Sequence, residues 1–84
     1  MQNDYKPHSN KIANVMKGIG MVSLMQKTGV ITKDTAYKTG ELIGQATLVN
    51  YGSNCYENVT KAFTRCHKGQ MPAVLGMKTI GTKL

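Results

Sequence analysis

The chain has 84 residues, with 11 Lys and Arg against 4 Asp and Glu and a formal charge of +7. This length excludes more than one domain and leaves a thin hydrophobic margin, since so short a chain buries only somewhat over ~60% of its unfolded surface. The charge points to acidic partners, whether nucleic acid, anionic lipid or an acidic protein surface, and four carboxylates leave little material for acid–base chemistry.

Residues 1–9 read as a flexible polar arm interrupted by Pro7, without the apolar run of a secretory signal. A single helical domain is expected over 10–84. The first helix is predicted over about 11–28. Ile12, Val15, Met16, Ile19 and Val22 share one face at helical spacing, and Gly29 supplies the C-cap. Met21, Leu24 and Met25 fall off that face, to be wrapped by neighbours or offered to a partner.

Thr32 is placed to cap a second helix, about 33–51, with Asp34 in its first turn where the helix dipole favours an acid. Leu42, Ile43, Ala46 and Val49 form one apolar face, and Tyr37, Leu48 and Tyr51 lie on another. A helix apolar nearly all round is expected to be central and buried. Ala36, Gly40 and Gly44 recur every four residues, a spacing that lets another helix approach closely. The Lys-Thr-Gly-Val-Ile-Thr link also suits a helix-turn-helix, with Lys33, Thr35 and Lys38 as readers. The apolar wheel and the scarcity of Arg, Asn and Gln at those positions favour an ordinary αα-hairpin.

The third helix is predicted over about 55–68, with Asn54 and Glu57 as a variant capping box and Gly69 as C-cap. Cys55, Tyr56, Val59, Ala62, Phe63 and Cys66 share an arc, and Lys61, Arg65 and Lys68 share the other side. Eleven helical residues separate the two cysteines by roughly 16 Å, beyond the ~7 Å between Cα atoms that a disulfide allows. A metal site is not expected, because paired ligand spacing is missing. Both cysteines read as small buried hydrophobes.

Pro72 opens a short fourth helix, about 72–79, and the tail is expected to fray. The last 27 residues carry only positive formal charge, including Lys78 and Lys83.

The expected fold is all-α, a small bundle of three main helices plus a short C-terminal helix. Its expected core is Ile12, Val15, Ile19, Val22, Ile43, Ala46, Val49, Val59, Phe63 and Leu75. No catalytic constellation, cofactor motif or membrane-length apolar run occurs in the sequence, so no enzyme activity, cofactor or membrane span is expected. The expected function is a non-enzymatic nucleic-acid-binding accessory that contacts phosphates through Lys61, Arg65, Lys68, Lys78 and Lys83. Lys is a hydrated point charge and Arg65 is the sole Arg, which favours backbone contact over base reading. The alternative is a phage or mobile-element type of protein that inhibits or adapts a larger host protein. Met21, Met25, Leu48, Met71 and Met77 would form that interface, or a homodimer contact. The expected location is the cytoplasm, or a virion if the chain is virus-encoded.

Overall fold

A computed structural model describes residues 7–66 and 71–83, and side chains over 11–65 and 71–80. Among these residues the chain forms four helices and no strand: α1 (Pro7–Lys27), α2 (Lys33–Tyr51), α3 (Ser53–Cys66) and α4 (Pro72–Lys83). The all-α bundle is as expected, and α2 packs against all three other helices, most extensively α4.

Several boundaries move. α1 starts at Pro7, taking in part of the expected arm, because proline's fixed φ and missing N–H suit the first helical position. α3 starts at Ser53, so Asn54 lies inside its first turn and the expected capping box is not formed. Glu57 instead approaches Lys61 one turn on, at 3.8 Å. α4 runs to Lys83 rather than fraying near 79. The α1–α2 link behaves as the sequence implies. Gly29 takes φ 84°, the Val30 amide donates to the Met25 carbonyl at 2.8 Å, and the Thr32 hydroxyl accepts from the Thr35 amide at 3.1 Å.

The joint between α2 and α3 is one residue long. The Gly52 amide donates to the Thr47 and Leu48 carbonyls, closing α2, while its own carbonyl accepts from the Tyr56 amide, opening α3. Its φ of 93° is strained for any side chain-bearing residue.

The core contains Val15, Ile19 and Val22 from α1, Ala36 from α2, Cys55, Tyr56, Val59 and Phe63 from α3, and Ala73, Val74, Met77 and Ile80 from α4. Ile12 and Ile43 pack at its margin, and Leu75 is half-buried. Ala46 and Val49, expected inside, are exposed, Val49 to 77%. Leu42, on the same face, also points outward. α2 buries instead the stripe Ala36, Gly40, Gly44 and Thr47.

Close approach to α4 explains the choice. A Cβ built on Gly40 would stand 2.0 Å from the Ala73 carbonyl oxygen, and one on Gly76 would stand 2.0 Å from the Tyr37 carbonyl oxygen. The two backbones therefore touch with no side chain between them. Ala36 and Ala73 extend the small seam, and Met77 and Ile80 close over Gly44. Such contact gains dispersion along the whole crossing, which outward Leu42 and Val49 would block if they faced inward. Thr47 is tolerated in the interior because its hydroxyl donates to the Ile43 carbonyl at 2.7 Å. Across the seam, the Tyr37 hydroxyl lies 3.1 Å from that of Thr79.

Candidate functional site

α3 is the clearest amphipathic helix of the chain. Cys55, Tyr56, Val59 and Phe63 face inward, and Lys61 and Arg65 face solvent. Tyr56 anchors this helix to α4. Its ring is buried, and its hydroxyl donates to the Met77 carbonyl and lies 3.0 Å from the Lys78 carbonyl. That bond fixes the level of Lys78 against α3. As a result Lys61, Arg65 and Lys78 line one groove of about 860 Å³. Ile12, Tyr56 and Ala62 supply its apolar floor, and Asn58, Thr60 and Thr64 add polar edges.

Among the described residues, Glu57 is the one carboxylate along the groove, exposed like its partner Lys61. A pair so open to water holds neither side chain firmly, since both are screened. Three cations from two helices therefore dominate the groove, and an extended anion can displace Glu57 from Lys61 at little cost. Tyr56 shows the groove little of its ring, which is buried, and its hydroxyl is bonded to the α4 backbone. The groove thus offers point charges and hydrogen-bonding edges, without an aromatic platform.

The structure brings Lys61, Arg65 and Lys78 together. Lys68 lies outside the described residues, and Lys83 ends α4 with its side chain outside the described set. The expected apolar interface divides. Met21 and Met25 are exposed, Leu48 and Met71 are half-buried against the core, and Met77 is 1% exposed and belongs to the core. Met77 faces inward because it fills the space over Gly44, which has no side chain of its own. Sequence reasoning missed a second groove, of about 590 Å³, between α2 and α4 and lined by Lys38, Glu41, Leu42, Gln45, Leu48, Val49 and Ile80. Its signal was the small-residue stripe, which turns Leu42 and Val49 away from the core.

Cys55 is a free thiol buried in the core. Burial pushes its pKa up, and the nearby Lys11 ammonium pulls weakly the other way. Lys11 itself lies 5.5 Å from the Tyr51 ring centroid. α3 is unbroken from Ser53 to Cys66, which keeps the two cysteine positions too far apart to bond. Among the described residues no three His, Cys, Asp or Glu side chains converge as metal ligands, and no helix is long and apolar enough to cross a membrane. Compared with family models, characterised proteins and solved structures, the chain matches none.

Proposed function

We propose that the protein is a non-enzymatic nucleic-acid-binding accessory that grips phosphates in the α3–α4 groove. The observation that carries this reading is the convergence of Lys61, Arg65 and Lys78, from two helices, on one groove with a single carboxylate among the described residues. Three cations contributed by two helices to the walls of one open groove suit a polyanion such as a chain of phosphates. Two of the three are Lys, and the aromatic nearby is buried. Both facts favour binding to the backbone over reading of bases.

The alternative, docking on a larger protein through Met and Leu side chains, has less support. Met77 is interior and Leu48 and Met71 are half-buried on the core, which leaves only Met21 and Met25 of that set exposed.

The test is a titration with a short duplex and a single strand at several salt concentrations. Three phosphate contacts on duplex DNA predict a slope of about −2.7 in log affinity against log salt. The triple variant Lys61→Ala, Arg65→Ala, Lys78→Ala should lose binding and most of that slope while keeping its helical circular dichroism. Absence of binding at low salt, or a triple variant that binds like wild type, would refute the groove as the site.

A further inference from the structure

α1 is apolar on two sides. Val15, Ile19 and Val22 face the core, Met21 and Leu24 emerge away from it, and Met25 lies at the margin between the two. Val30, in the link that follows, continues the same exposed end of the molecule. Met21 is 64% exposed, Leu24 60% and Val30 67%. These are apolar side chains held in water, Met21 and Leu24 by the helix and Val30 by the link after it, and the core has no use for them.

The charged residues of α1 itself are all of one sign. α1 contains no Asp or Glu over its 21 residues. Lys17 lies one turn before Met21 on the same face, Lys27 closes the helix and Lys33 opens the next; all three are exposed. Asp34, at the start of α2, is the nearest carboxylate in sequence. An apolar centre edged by lysines is the composition of a peripheral membrane contact, with apolar groups entering the acyl boundary and ammonium groups meeting headgroup phosphates.

Charge and shape discriminate between occupants. A second copy would set Lys17 and Lys27 against their own counterparts with no acid on either α1, so self-association is opposed. Neither groove described above is lined by Met21, Leu24 or Met25, and Met21 and Leu24 stand on the outer curve of a helix, where none of the described residues covers them. A soft anionic plane accepts that shape.

We propose that the exposed end of α1, centred on Met21, Leu24 and Met25 and edged by Lys17, Lys27 and Lys33, docks peripherally on an anionic lipid surface. This site does not depend on the α3–α4 groove, which faces a different side of α1.

The test is co-sedimentation with vesicles of phosphatidylcholine alone and of phosphatidylcholine mixed with phosphatidylserine. Wild type should bind the mixed vesicles and not the neutral ones, and binding should weaken with salt. The double variant Met21→Gln, Leu24→Gln should bind more than about tenfold more weakly, since both residues would be buried in the interface. It should still fold, because both side chains are exposed, and circular dichroism checks that. The groove variant Lys61→Ala, Arg65→Ala, Lys78→Ala should keep most vesicle binding. The proposal is overturned if mixed vesicles are not bound, or if the groove variant loses binding while Met21→Gln, Leu24→Gln keeps it. It is equally overturned if sedimentation velocity shows a dimer that the Gln variant dissolves, or if an acidic peptide is bound through Met21 and Leu24 in place of vesicles.

Discussion

Cys55 illustrates how one side chain's surroundings set its chemistry. A thiol reacts as thiolate, and burial keeps this one protonated at neutral pH. With Cys66→Ser to remove the other thiol, a disulfide reagent should label native protein at least about a hundredfold more slowly than denatured protein. The same residue couples folding to alkali. The folded thiol holds its proton more tightly than the unfolded one, so its contribution is complete at neutral pH. It declines as pH climbs past the ordinary thiol value of about 8.5 toward the higher folded value. Between neutral and alkaline pH, the denaturation midpoint should fall further for the protein with Cys55 than for Cys55→Ala. An equal fall would mean that Cys55 is not the group responsible. Tyr56, beside it, uses both of its ends: the ring fills the core, and the hydroxyl ties α3 to the α4 backbone.

At the scale of the element, the α2–α4 seam decides the fold. In an isolated helix, Gly→Ala is favourable by up to about 1 kcal/mol. At Gly40 and Gly76 the new Cβ would meet backbone carbonyls that cannot move without parting the helices. Each substitution should therefore destabilise by about 3 kcal/mol, near the top of the usual overpacking range. Gly20 has nothing within 4 Å of its would-be Cβ, so Gly20→Ala should stabilise by about 0.5–1 kcal/mol. Thermal or denaturant unfolding of the three variants checks both signs, and a Gly40→Ala protein as stable as wild type would contradict the seam. The seam also shows what was legible beforehand. The helix count, the Thr32 cap and the inward face of α3 were readable, because periodicity and capping are local properties. The inward face of α2 was not ranked correctly, because the larger apolar residues Leu42 and Val49 outscore glycine on any hydropathy pattern. Ala36, Gly40 and Gly44 had been noted as a stripe for close packing, but the matching Ala73 and Gly76 lie on another helix, and only their meeting decides which side turns in. For the same reason, Lys61 and Arg65 were readable as one row, whereas Lys78 was readable only as part of a basic C-terminal run, and its place beside them depends on the Tyr56 tether across to α4.

For the whole molecule, a formal charge of +7 on 84 residues is a standing self-repulsion. Added salt screens it, so the melting temperature should rise with ionic strength in the dilute range. Nucleic-acid affinity should fall over that same range, since counterion release weakens with salt. Opposite slopes for stability and binding in one buffer series are the expected result, and parallel slopes would mean that the cations are spent on internal pairing. The groove also owes its heading to a single joint. Because the single residue Gly52 separates α2 from α3, its two backbone torsions steer the whole of α3. There is no loop to absorb an error there, and a change of about 10° at that joint would sweep Arg65, more than three turns further along α3, by about 3 Å relative to Lys78. The spacing of the cations is thus written into the hinge as much as into the helices that bear them.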